Sequence, residues 1–290
     1  MMSAVIIILG TLCAVYIVHL FLNSPPENNP ASFLKRSHFK EGHVMVTIGD
    51  SLTHGTASGN YSNSIKQVLE GYNFQTVNAG MNSDLSITAL RKVDKVIECK
   101  PTIVSILIGT NDILASQGSI RRNSYVKIGR LKKDDRVSEN EYQKNLTQLV
   151  RQLQAAEIKH IFLISLPLIG EDISQDINKC VESYSHRVKS VAVNEGVCYV
   201  PLFETMCENI QNKTDVSAFS WKREFKSYVL NITHYLSDID LDRLFKHYGY
   251  HYLTDGIHLN TKGSDLVSTL LLKSITEQNL PALNNNTIEN

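Results

Sequence analysis

The sequence predicts an α/β fold, a parallel sheet with helices on both faces. Two observations carry that expectation. Five short runs rich in Val and Ile are apolar at successive positions, as strands buried on both faces are. Longer stretches of helical period separate them, and strand alternating with helix is the pattern of βαβ units, whose right-handed crossovers make the strands parallel.

In chain order the predicted strands are Val44–Ile48, Phe74–Val77, Ile103–Ile108, Ile161–Leu166 and Val197–Pro201. Ile65, Val68 and Leu69 mark a first helix ended by Gly71, and Ile87, Leu90, Val93 and Ile97 one amphipathic stretch ended before Pro101. Ser138-x-x-Glu141 reads as a capping box opening a helix with Tyr142, Leu146, Leu149, Val150 and Leu153 on its apolar face. Ile177, Val181, Tyr184, Val188 and Val191 mark a fourth helix. Thr261 is expected to cap the last, which buries Leu266, Val267, Leu270 and Leu271.

Two segments stand outside this alternation. Residues 116–137 are basic, with Arg121, Arg122, Lys127, Arg130, Lys132 and Lys133, and lack a clean period; residues 203–254 are long and aromatic-rich. Both are expected as insertions over the carboxyl edge of the sheet, where substrate loops and lids occur. The basic one could steer an anionic substrate, meet lipid headgroups, or be a solvated loop, the last being favoured. The domain so defined runs over 42–280, before an Asn-rich tail, 281–290, expected to be disordered.

Ahead of the domain, Ala4–Leu22 carries no charged side chain over 19 residues. At about 1.5 Å per residue that is close to the thickness of a bilayer core, so residues 1–23 are expected to form a membrane anchor, with a signal peptide as the alternative. Residues 24–41, opening on a Pro- and Asn-rich stretch, are expected to be a linker. Lys35, Arg36 and Lys40 after the apolar run favour a cytoplasmic body, whereas sequons at Asn60, Asn145, Asn212, Asn231 and Asn285 favour a lumenal or extracellular one, the side preferred.

Composition narrows the partners. Lys+Arg and Asp+Glu both number 29, so no basic field exists to attract nucleic acid, and a small or neutral partner is expected. The five cysteines have no metal-like spacing; Cys99, Cys180, Cys198 and Cys207 could be bridged in an exported chain or be buried free thiols. Nothing in the sequence sets an oligomeric state.

The chemistry-bearing residues follow the strands. The first strand ends in Gly49-Asp50-Ser51-Leu52, the second in Asn78-Ala79-Gly80, the third in Gly109-Thr110-Asn111-Asp112, and Asp255-Gly256-Ile257-His258 precedes the final helix. A serine hydroxyl becomes a nucleophile when an imidazole takes its proton, and the imidazole needs an acceptor to fix its tautomer. Ser51, His258 and Asp255 could fill these roles, with the N–H groups of Ser51 and Gly80 and the Asn111 amide as donors to an oxyanion.

This ordered set resembles the SGNH (GDSL) hydrolase family over roughly Gly42 to Glu277. The resemblance implies a three-layer α/β/α sandwich of flavodoxin type with a five-stranded parallel sheet. It also implies Ser51 as nucleophile, Gly80 and Asn111 in the oxyanion hole, His258 as base, and Asp255 completing the triad. Asp50 and Asp112 are supporting members of the same blocks. Many relatives carry a second glycine soon after that of block two, whereas this chain reads Gly80-Met81-Asn82-Ser83-Asp84, which puts the local loop shape in question.

The expected activity is therefore a serine carboxylic-ester hydrolase without metal or organic cofactor, modestly favouring a lipid or lysophospholipid ester. A carbohydrate O-deacetylase or an O-acyltransferase on the same fold is the alternative, and a non-catalytic binding protein is less favoured. A zinc site from His247, His251 and His258 has the right ligand type, but Gly249 interrupts the helix that would align the first two. No Gly-x-Ser-x-Gly elbow, His-Glu-x-x-His or P-loop motif occurs.

Overall fold

Runs that are apolar on both faces must find a neighbour on each edge and a helix on each side. The computed structural model, which describes residues 16–36, 42–211, 213–237 and 239–278, shows that arrangement. Strands β1 (His43–Gly49), β2 (Phe74–Gly80), β3 (Ile103–Leu107), β4 (His160–Ile164) and β5 (Cys198–Val200) form one sheet in the order β2-β1-β3-β4-β5. Every pairing is parallel. This is the flavodoxin-type order, in which the chain leaves β1 toward both sides and opens a crevice at the carboxyl ends. All five β3 residues are buried, and so is β1 beyond its first residue.

The helices are α1 (residues 16–23), α2 (Pro30–Lys35), α3 (Ser51–His54), α4 (Tyr61–Leu69), α5 (Ser86–Arg91), α6 (Val93–Glu98) and α7 (Thr110–Ser116). They continue with α8 (Ser119–Lys127), α9 (Glu139–Ala155), α10 (Asp176–Asn194), α11 (Leu202–Ile210), α12 (Trp221–Ser237), α13 (Leu241–Phe245) and α14 (Thr261–Glu277). On one side of the sheet α4 packs against α14; on the other, α5, α6, α9 and α10 pack together. With the sheet between them these make the expected three layers.

Local sequence accounts for most boundaries. Ser138 caps α9 by accepting from the Glu141 N–H at 3.2 Å, and the predicted apolar face from Tyr142 to Leu153 is buried. The stretch read as one amphipathic helix is two, because Lys92 breaks the ladder at φ −108°, ψ −1°. Its buried positions are then Leu85, Ala89, Val93 and Val96, while Ile87, Leu90 and Ile97 are only half-buried. Asn260, not Thr261, caps α14: its Oδ1 accepts from the Gly263 N–H at 2.9 Å. The basic segment 116–137 contains a true helix, α8, and 203–254 is mostly helical, as α11, α12 and α13.

The N-terminal expectations change most. The described part of the segment read as a linker, residues 24–36, lies along the open edge of β2, where the Asn78 N–H donates to the Asn28 carbonyl at 2.8 Å, and Phe33 of α2 is buried. An edge strand left bare would expose a row of unpaired donors and acceptors, so covering it satisfies groups that water would otherwise hold. The predicted anchor is also split. Residues 4–15 lie outside the described residues, but Phe21 at the end of the apolar run is 5% exposed and packs edge-on against Tyr235 at 5.6 Å. The Leu22 carbonyl accepts from Arg130 Nη2 at 2.6 Å. A span over 4–22 would need this docked end. No helix among the described residues is long and apolar enough to cross a membrane.

The four described cysteines, Cys99, Cys180, Cys198 and Cys207, carry free thiols. Burial pushes the Cys99 and Cys207 thiols up to about 11, so they behave as apolar packing groups. The tail 281–290 and the sequons Asn212 and Asn285 lie outside the described residues.

Leu149 is fully buried where α9 meets the sheet, whereas Val193 on α10 is 72% exposed. Leu149→Ala is expected to lower unfolding free energy by about 2–5 kcal/mol, and Val193→Ala by no more than about 0.5 kcal/mol. Urea unfolding followed by circular dichroism measures both.

Candidate active site

The carboxyl ends of β1, β2 and β3 converge. Gly49 pairs with both Gly80 and Leu107, so the three following turns start at one level. After β1, Asp50 caps the short helix α3 by accepting from the Leu52 N–H at 2.9 Å, and Ser51 becomes its first residue. Ser51 Oγ lies 3.0 Å from His258 Nε2. His258 Nδ1 lies 2.9 Å from Asp255 Oδ2, so the ring donates to the carboxylate through Nδ1 and presents Nε2 as the acceptor for the serine hydroxyl. Residues 207 positions apart in sequence are thereby joined by one line of hydrogen bonds.

The Asp255–His258 turn is held by its own backbone. Asp255 Oδ1 accepts from the N–H groups of Ile257 and His258, both at 2.9 Å, an Asx-type turn that places the ring over its carboxylate. The Leu253–Leu259 bridge closes the loop beneath it. Sequence reasoning missed Glu171, a buried side chain after β4 whose oxygens accept from the N–H groups of His251 and Tyr252 at 2.6 Å and of Leu253 at 3.1 Å. Burial pushes its carboxyl above the ordinary value while those donors act the other way. It ties the catalytic-type loop to the sheet, and a lone glutamate in a β4 loop carries no motif that could have announced it.

Asp255 is 7% exposed, and burial alone would raise its carboxyl. The His258 charge, the ring hydrogen bond and the two backbone donors outweigh burial and hold it at about 2. Burial would lower His258; the Asp255 charge and hydrogen bond, with the Asp50 charge, outweigh it and raise the imidazole above its ordinary value. Asp50 is completely buried. Burial pushes its carboxyl up to about 7, against the Leu52 N–H and the His258 charge.

The expected oxyanion donors divide. The Ser51 N–H, in the first turn of α3, has no acceptor among the described residues. The Asn111 amide donates to the Asp84 carbonyl at 3.0 Å and accepts from Tyr125 Oη at 2.8 Å, which fixes its orientation and leaves a second N–H. Gly80, however, is placed elsewhere. Its N–H donates to Asn78 Oδ1 at 2.9 Å and it lies outside the cavity that holds Ser51. Its glycine has another cause: a Cβ there would come within 2.4 Å of the His54 N, so only glycine lets α3 approach β2. Ser83 stands in the cavity wall instead, at φ +62°, a left-handed conformation that turns its backbone, and its N–H has no partner among the described residues. This is the loop in which the chain departs from the family pattern.

Asp112 also lies outside the cavity. It accepts from the Ser86 N–H at 2.9 Å and the Ser86 hydroxyl at 2.5 Å, pinning α7 to α5. Burial pushes its carboxyl to about 7, against those two hydrogen bonds. Its support for the site is through the position of Asn111.

The cavity itself, about 310 Å³, is lined beside Ser51 and His258 mainly by Phe21, Leu22, Leu114, Ile128, Phe219 and Ile257. Three parts outside the regular alternation build it: α1, α8 and the segment around α12. Arg130 ties the end of α1 to the loop after β2, donating to the Asn82 carbonyl at 3.0 Å and to the Leu22 carbonyl at 2.6 Å, beside Asp84 at 3.4 Å. Arg122 likewise donates to the Lys133 and Asp135 carbonyls. These basic side chains are thus spent on internal contacts. A larger open groove of about 970 Å³ lies among Lys133, Arg136 and Glu141 on the surface and holds none of Ser51, Asn111, Asp255 and His258. His247 stacks on Tyr248 and His251 Nε2 faces Asp215 at 3.5 Å; no group of three or more metal-type side chains is assembled among the described residues.

The GDSL-like Lipase/Acylhydrolase family matches residues 47–266, and the chain belongs to that family. It is an enzyme that hydrolyses ester bonds. No curated protein sequence matches it. Among solved structures it is similar to LAE5, an α/β hydrolase from the metagenome of Lake Arreo, Spain, at 19% identity, with 82% of this chain and 97% of that one covered and a TM-score of 0.56. A catalytic mutant of Axe2, an acetylxylan esterase from Geobacillus stearothermophilus, aligns at 18% identity over 81% of this chain and 94% of that one, with a TM-score of 0.57. The acetyl xylan esterase AlAXEase gives 18%, 80%, 99% and 0.53. At these identities the likeness is one of fold.

The charges around His258 set its titration. Its ring is expected to titrate above pH 6.5 by histidine NMR. Asp50→Asn removes one of the negative charges that favour the imidazolium, so the midpoint is expected to move down.

Proposed function

We propose that the chain hydrolyses carboxylic esters through an acyl-enzyme formed on Ser51. The observation that supports this most is the line of hydrogen bonds from Asp255 through His258 to Ser51 at the wall of an apolar cavity. His258 Nε2 takes the hydroxyl proton as Ser51 Oγ attacks the ester carbonyl, and Asp255 balances the imidazolium. The oxyanion is received by the N–H groups of Ser51 and Ser83 and the free N–H of Asn111. Collapse expels the alcohol with the proton from His258. Water then repeats the sequence on the acyl group, restoring the free serine.

The six apolar side chains of the cavity wall favour an apolar acyl group, and about 310 Å³ is at the small end for ligand pockets. A lipid-type ester with a short or medium acyl chain is therefore preferred. Deacetylation of a carbohydrate is the second reading, supported by the acetylxylan esterases among the fold relatives. The apolar stretch before Tyr16 has the length of a secretory h-region, and export of the body accords with it. Because Phe21 and Leu22 belong to the cavity wall, assays need a chain that keeps residues 16–36.

Hydrolysis of p-nitrophenyl esters from acetate to palmitate tests the reading. Ser51→Ala and His258→Ala are each expected to abolish most turnover in folded protein. A peak at short or medium chains supports the preferred substrate, and activity confined to acetate supports deacetylation. Undiminished turnover by Ser51→Ala would sink the mechanism. For the oxyanion site, Asn111→Ala is expected to lower kcat about 10²–10³-fold with little change in KM. Ser83→Gly keeps the N–H and relieves the positive φ, so it is expected to retain activity, whereas Ser83→Pro is expected to lose it.

A further inference from the structure

Asn231 sits on α12, within the long insertion, and is 3% exposed. Its Nδ2 donates to Asp255 Oδ2 at 3.1 Å, the same oxygen that accepts from His258 Nδ1. The orientation of the amide is settled by chemistry, since a carboxylate held at about 2 only accepts and the nitrogen must face it. Asn231 Oδ1 is buried without a donor among the described residues. A half-satisfied buried amide costs stability that an apolar side chain of similar shape would not, and such groups ask for an explanation beyond packing.

With Asn231 counted, the Asp255 carboxylate accepts from four donors: the Ile257 and His258 N–H groups on Oδ1, and the His258 ring and Asn231 on Oδ2. Three of these come from its own turn. Asn231 alone reaches it from another element, and therefore alone couples the carboxylate to the cover of the cavity. Asn231 also lines that cavity, while Tyr235, one turn further along α12, packs on Phe21 of α1.

We propose that Asn231 is a positioning residue for the triad: α12 is not only a cover but delivers the hydrogen bond that locks the Asp255 carboxylate, and through it the His258 ring, in line with Ser51. This rests on the serine mechanism proposed above. Asn231-Ile232-Thr233 is also a sequon, and a glycan would sit on the very nitrogen that is buried against Asp255. A side chain 3% exposed leaves no room for a sugar there, so modification of Asn231 and the docked position of α12 are mutually exclusive.

The test uses the full chain, made without glycosylation, and compares Asn231→Leu with Thr233→Ala and Ser51→Ala. Asn231→Leu is expected to lower kcat about tenfold or more, the worth of a hydrogen bond to a charged group, with KM nearly unchanged. The rate of Ser51 modification by a small phosphofluoridate, which needs the base but not the acyl cavity, is expected to fall in the same proportion. Thr233→Ala destroys the sequon, keeps Asn231, and is expected to keep the parent rate. If Asn231→Leu stays within about twofold of the parent in kcat, or if its loss lies in KM with serine modification unchanged, the proposal is overturned and α12 only shapes the cavity. Loss of activity in Ser51→Ala beside an active Asn231→Leu would overturn this inference alone; an active Ser51→Ala would overturn the mechanism beneath it. In a glycosylating host, turnover-competent protein is expected to carry no glycan at Asn231, and finding one there would also overturn the proposal.

Discussion

The buried carboxylate of Asp255 is the interaction on which the rest of the site depends. A charge taken out of water is tolerated only where donors replace its hydration, and here backbone, ring and amide donors surround both oxygens. That arrangement fixes the turn, sets the tautomer of His258 and raises its basicity. It also requires the surrounding elements to be in place, because each donor belongs to a segment anchored elsewhere: the turn through Glu171, and α12 through α1.

The sheet, the crevice and the turns after β1 and β3 present the reactive side chains, and the remaining elements enclose them. α1, the end of α8 and the approach to α12 bring apolar wall through Phe21, Ile128 and Phe219, and each region brings one polar contact: Arg130 holds the end of α1, Tyr125 orients the Asn111 amide, and Asn231 meets Asp255. The parts that read as anchor and insertions are thus continuous with the site. The buried sequons Asn145, which donates to Ser86, and Asn231 are likewise occupied by structural contacts, whereas Asn60 is exposed.

Much of the site was legible because its residues lie next to local signals. Ser51, Asn111 and the Asp255–His258 pair follow strands or precede a helix whose periods are strong, and five apolar runs became five strands. Gly80 stands apart from the cavity for a physical reason: a glycine after a strand signals either a backbone donor or a close approach, and the sequence does not say which. The packing of α3 decides it, and a serine at φ +62° takes the place in the cavity wall that a glycine would have advertised. The apolar run at the N-terminus was ambiguous in the same way, since Phe21 and Leu22 are as suited to a cavity wall as to a bilayer.

The sequence by itself determined the layer architecture and the serine, histidine and aspartate, because hydrophobic period and short-range turns are local properties of the chain. Only the tertiary structure decided the placement of Ser83, the cavity wall, and the partners of Asn111 and Asp255. Those depend on contacts between segments far apart in sequence, such as Asn231 with Asp255 and Phe21 with Tyr235, and no local pattern encodes which buried polar group will meet which.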